Sequence, residues 1–104
     1  MIRKAFKMQL KEGFEVEYKA RHAKIWPEMI EELEKAGVSN YSIYLDEETN
    51  ILFAFQMLKD HHTSDDLPLK AIVQKWWDYM GDIMETNADG SPVSIDLVEM
   101  FHMD

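Results

Sequence analysis

The sequence contains no cysteine, which excludes disulfides and thiolate metal sites and makes the cytosol the expected compartment. Glycine is scarce, four residues in all, and none of them forms a phosphate-cradling loop, so a nucleotide cofactor is not expected. No serine sits in a nucleophile-elbow context. No apolar run approaches the roughly 20 residues needed to span a bilayer, and the start, Met1 to Phe6, lacks the apolar core of a signal peptide. Basic residues are outnumbered, 11 against 20 acidic ones, for a formal net charge of -9. Such a surface repels nucleic acid and anionic membrane, so neither is an expected partner. Repeats, linkers and low-complexity tracts are also missing.

What is present is a chain of 104 residues, 46% hydrophobic, with eight methionines and 12% aromatics. That length predicts one domain over residues 1–104. A domain of this size buries a modest share of its surface, so its stability is tight. The apolar content nevertheless exceeds what a small core needs, and the surplus predicts a pocket, a subunit contact, or both.

Ile2, Phe6, Met8 and Leu10 share one parity, which predicts a strand over Ile2 to Leu10 with one buried face. Phe14, Tyr18, Arg21, His22 and Ile25 fall at helical spacing and end near Trp26, because Pro27 forces the residue before it out of the α region. Pro27 suits the first turn of a second helix, which Gly37 closes, so the two form one bent segment. Val38 to Leu45 and Ile51 to Leu58 are β-rich runs around a polar turn, the signature of a hairpin. Lys59 to Leu69 reads as a solvated loop with at most a turn of helix at Ser64 to Asp66. Ile72, Trp76, Tyr79 and Ile83 lie beside Val73, Trp77, Met80 and Met84, a helix with a wide apolar face. A last strand is predicted over Ser94 to His102. The order strand, helix, strand, strand, helix, strand predicts an α+β fold, the ferredoxin-like split β-α-β sandwich. Helices cover one sheet face. The other calls for a partner, and a homodimer with facing sheets supplies it.

Of the four histidines, only His22 lies on an apolar helical stripe. Imidazole both donates and accepts a proton near neutral pH. The competing structural reading is a semi-buried histidine that satisfies a backbone carbonyl. Tyr18, one turn earlier, brings a hydroxyl to the same side, though a plain core ring is equally compatible with its position. Trp76 and Trp77 point roughly 100° apart on their helix. One is therefore core and the other can wall a cavity, where an indole face stacks on the C–H surface of a sugar. Tyr41 and Tyr44 occupy opposite faces of their strand, so at most one faces the helices. His61 and His62 beside Asp60, Asp65 and Asp66 lack the fixed geometry of a metal site, and none is predicted.

The segment Tyr18-Lys19-Ala20-Arg21-His22-Ala23-Lys24-Ile25-Trp26-Pro27-Glu28 resembles the Tyr-x-x-Arg-His-x-x-Ile-Trp-Pro-Glu signature of the L-rhamnose mutarotases. Asn40 to Asp46, Leu52 to Ala54, Trp76 to Met80 and Ser91 to Ser94 extend the resemblance in order and spacing over nearly the whole chain. It departs at Lys59 to Leu69, where the family more often begins its helix directly. The resemblance implies a dimeric α/β barrel of ferredoxin-like subunits, an active site within each subunit and no cofactor. It further implies that His22 is the catalytic proton donor and that Tyr18, Tyr41, Trp76 and Trp77 bind the sugar. The expected chemistry is anomer interconversion: His22 serves the ring oxygen while Tyr18 or a water relays the proton of the anomeric hydroxyl. Two other readings fit the pattern: a different cofactor-free reaction on the same barrel, oxygenation or isomerisation of an aromatic or lactone, and a ligand-binding domain without chemistry.

Overall fold

The structure, a computed structural model, describes residues 1–104. Strand β1 (Ile2–Gln9) leads to helix α1 (Glu15–Ala23), helix α2 (Pro27–Lys35) and the hairpin β2 (Val38–Asp46) and β3 (Ile51–Leu58). A 3-10 turn (Ser64–Leu69), helix α3 (Ala71–Met80) and a short strand β4 (Ser94–Asp96) complete the chain. The sheet order is β2-β3-β1-β4, and every neighbouring pair is antiparallel.

Local chemistry explains most boundaries. Glu15 and Glu17 lie in the first turn of α1 and Arg21 and His22 in its last, both favourable to the helix dipole. The helix ends at Ala23, short of the expected Trp26, because Lys24 and Ile25 donate to the Arg21 and His22 carbonyls and tighten the last turn. Trp26 is extended, as a residue before proline must be, and Pro27 opens α2 where a missing N–H costs nothing. At Gly37, with φ +90°, a side chain would be strained and would also crowd His62 and Lys59.

The Lys59–Leu69 segment is more ordered than a solvated loop. Lys59 N–H donates to the Gly37 carbonyl and Thr63 N–H to that of Ala36, so the segment caps the end of α2. His62 Nδ1 accepts from Ser64 N–H at 3.3 Å and lies 2.8 Å from its hydroxyl, which heads the 3-10 turn. The turn runs to Leu69, beyond the predicted Asp66, and includes Pro68. The last strand is shorter than expected. After Asp96 the only further ladder bond is Leu97 N–H to the Ala5 carbonyl, and Arg3 pairing with Glu99 then carries the link to β1.

Residues opposite one another across a ladder share a face. On the helix side Met8, Leu52 and Ala54 pack with Tyr18 and Met29 and with Val73, Trp76 and Met80 of α3. A smaller cluster, Ala36, Val38 and Leu58, closes the other end. On the far side Tyr44, Phe53, Lys7 and Ile95 form one row and Ser42, Phe55, Ala5 and Leu97 the next. No element of the chain packs over those rows, and Tyr44 is 71% exposed.

In β2 the register jumps between Ser39 and Ser42, so Asn40 and Tyr41 together oppose Gln56. Asn40 takes a left-handed φ of 48°, a conformation asparagine tolerates better than most residues. This bulge moves Tyr41, Ile43 and Leu45 onto the same face as Val38, and so aims Tyr41 toward the helices.

Candidate active site

Helix α1 presents Tyr18 and His22 one turn apart, and their rings stack with centroids 4.3 Å apart at 27°. His22 Nδ1 lies 3.1 Å from the Tyr18 carbonyl oxygen. A carbonyl can only accept, so Nδ1 carries the proton and Nε2 keeps a free lone pair in the neutral ring. Burial lowers the His22 pKa from its ordinary 6.5, against the opposing pull of that backbone bond. The imidazole is therefore mainly neutral at pH 7. The carbonyl-satisfying role and a chemical role thus coexist, because they use different nitrogens.

Trp76 stands edge-on to His22, with centroids 5.4 Å apart at 87°. Behind it, Trp26 meets Trp76 at 5.0 Å and stacks on Tyr79 at 5.6 Å. Arg21 closes this wall: its guanidinium lies 4.5 Å from the Tyr79 ring centroid, bonds the Tyr79 carbonyl, and pairs with both Asp82 and Glu17. The end of α1 is thereby tied to the end of α3, on the wall that backs His22. Trp26 and Tyr79 were not among the residues singled out from sequence. Their signal was there, since Tyr79 shares the Trp76 stripe and Trp26 is the residue that Pro27 holds extended.

A cavity of about 1180 Å³ opens between the helices and the sheet, and Tyr18, His22, Tyr41, Trp76 and Trp77 all line it. The structure brings all five candidates to one space. The expected division of the tryptophans into one core and one cavity residue is not kept: buried Trp76 is both the core residue and the one against His22, and half-buried Trp77 reaches the cavity as well. Tyr41, carried by the bulge, meets Phe6 edge-on at 6.4 Å. Although the residue is 38% exposed, burial at its hydroxyl end pushes its phenol pKa up to about 12. Burial raises the Tyr18 phenol as well, and the nearby Tyr41 adds to it. Both phenols therefore remain neutral hydrogen-bonding groups and never act as bases near neutral pH.

The cavity thus brings together a neutral imidazole with one free nitrogen, two neutral phenols and indole walls. Fold and site together define a small α+β isomerase. The family model described as L-rhamnose mutarotase matches residues 3–103, and the chain belongs to that family. It is similar to the L-rhamnose mutarotases of Bacteroides thetaiotaomicron, 64% identical, and Phocaeicola vulgatus, 61% identical, each covered over the full length of both chains. The crystal structure of the L-rhamnose mutarotase of Formosa agariphila superposes with a TM-score of 0.94 at 52% identity, again over all of both chains.

Proposed function

We propose that this chain interconverts the α and β anomers of L-rhamnose by opening and reclosing the sugar ring, with His22 as the residue that carries the proton. The observation that carries this reading is the fixed tautomer of His22 in an aromatic-walled cavity: Nδ1 is committed to the Tyr18 carbonyl, which leaves Nε2 for the sugar.

Ring opening removes a proton from the anomeric hydroxyl, breaks the bond between C1 and the ring oxygen, and protonates that oxygen. Neutral Nε2 gains the proton from the anomeric hydroxyl, through the Tyr18 hydroxyl or a water, and as imidazolium gives it to the ring oxygen. The aldehyde turns about C1–C2, and the same steps in reverse close the ring on its other face. Every atom and electron is conserved within sugar and imidazole, so the cycle asks for no cofactor. Tyr18 and Tyr41 supply hydroxyls to the sugar, and Trp76 and Trp77 its apolar walls.

A pH dependence follows. The cycle starts from neutral His22, whose pKa burial holds below 6.5. Activity should be flat through neutrality and fall tenfold per pH unit once the pH drops below that pKa, with the midpoint under 6.5. A rate that rises on acidification would contradict the neutral starting form. The unfolded chain binds more protons than the folded one in this range, so His22 also weakens stability as pH falls. Circular dichroism at each pH separates the two effects.

We further read the sheet order β2-β3-β1-β4 as the split β-α-β sandwich, with the far face of the sheet meeting that of a second copy in a dimeric barrel. Phe53, Phe55, Ile95 and Leu97 on that face support the reading, because an apolar sheet face left in water is a docking surface. Sedimentation should show a dimer for the unaltered chain and a monomer for Phe53→Lys. A monomer in both would remove the barrel. The cytoplasm is the compartment we propose, supported by the absence of cysteine.

A further inference from the structure

Gln56 is the one buried polar residue of the chain, 6% exposed, and it sits on the helix face of β3. Its neighbours on that face are Ala54, which belongs to the main apolar cluster, and Leu58, which belongs to the smaller one. The amide thus lies between the two cores, where a methionine or leucine would be expected. It makes no hydrogen bond to the protein, yet no enclosed side-chain atom of the chain is left without a partner. Both amide atoms therefore still reach open space, and that space is the cavity lined by Tyr18, His22 and Tyr41.

Its surroundings are those of a binding site. Tyr41 and Asn40 oppose Gln56 through the bulge of β2, and Lys4 opposes it on β1. Lys4 also lines the cavity, with its ammonium 5.7 Å from the Phe6 ring centroid. An amide that faces the cavity and pairs with nothing in the chain contributes no hydrogen bond to the fold. A carbonyl acceptor, an NH2 donor and an ammonium donor along one row match the donor and acceptor pattern of adjacent ring hydroxyls.

We infer that Gln56, flanked by Lys4, binds a ring hydroxyl of the sugar directly and sets which sugar is accepted, a reading that rests on the mutarotase function above. The groups that carry the proton are elsewhere in the cavity, so the Gln56 contact acts on binding. It is made equally in the ground and transition states, which places its effect in KM.

The test compares the unaltered chain with Gln56→Met, which keeps the volume, and Gln56→Leu. Anomer exchange is followed by saturation-transfer NMR for L-rhamnose and for its 2-, 3- and 4-deoxy analogues. Gln56→Met should melt at the same or a higher temperature, because an apolar group replaces an unpartnered polar one. Its KM for L-rhamnose should rise about tenfold, as expected for one lost hydrogen bond to a buried amide, with kcat within about threefold. One deoxy analogue should cost the unaltered chain a similar factor and cost Gln56→Met nothing further. An unchanged KM, a deoxy penalty equal in both proteins for all three analogues, or a lowered melting temperature in both variants overturns the inference and makes the amide structural. Failure of the mutarotase reading has a different signature, no exchange by the unaltered chain. The same comparison is then made on Kd for L-rhamnose from tryptophan fluorescence, and equal Kd values or no binding overturn the inference there too.

Discussion

Replacing His22 by alanine should slow anomer exchange by about 10² to 10⁴, the usual contribution of one positioned acid-base group, while sugar binding largely survives. The ring is held from three sides. Tyr18 stacks on one side of it, Trp76 meets it edge-on, and the backbone bond at Nδ1 sets both its orientation and its tautomer. No other imidazole lines the cavity, and the two neutral phenols cannot take its place as a base. Tyr18→Phe keeps the stacking partner and the backbone carbonyl and removes only the hydroxyl, so its loss should be about tenfold. Saturation-transfer NMR gives both rates, and fluorescence titration with L-rhamnose gives both affinities. A His22→Ala protein as fast as the unaltered chain would move the chemistry to another group.

The largest effect on stability is expected at Trp76. It is buried among Tyr18, Met29, Val73 and Met80 and touches three further aromatic rings, so Trp76→Ala leaves a void that its neighbours cannot close. Truncations of this kind cost about 3–5 kcal/mol, against a total of roughly 5–15 kcal/mol for a domain. Trp76→Ala should therefore be partly unfolded at 37 °C in urea concentrations that leave the unaltered chain folded. Trp77→Ala, from a half-buried position in the same helix, should cost well under half as much and act mainly on KM for the sugar. Urea titrations of both variants test the division. Equal destabilisation would mean that the two indoles share the core.

Much of this was legible in the sequence because the relevant periods are strong. The parity of Phe6, Met8 and Leu10 marked the inner face of β1, and the spacing of Tyr18 and His22 placed them on one turn of α1. The hairpin bounds were readable from its β-branched and aromatic runs, and Pro27 marked the start of α2. Element ends were harder. The end of α1 is set by a tightened last turn and β4 by how far backbone pairing reaches along β1, and neither leaves a mark on the hydrophobic pattern.

The candidate site was legible as a set of residues and not as a geometry. Position singled out His22, but its tautomer depends on a carbonyl four residues earlier, which has no side-chain signature. Strict alternation puts Val38 and Tyr41 on opposite faces of β2. Only the bulge at Asn40 brings them to the same one, and a single asparagine inside a strand is a weak signal for it. Gln56 was invisible for the converse reason. One polar residue at an inward position of an apolar strand looks like noise until the cavity beside it is known.

Saturation-transfer NMR on L-rhamnose at pH 7 reads exchange between the two anomeric protons with and without the unaltered chain. Transfer between the anomers should grow in proportion to protein concentration and fail with His22→Ala. Exchange no faster than in buffer alone, by a folded chain at saturating sugar, would contradict the mutarotase function.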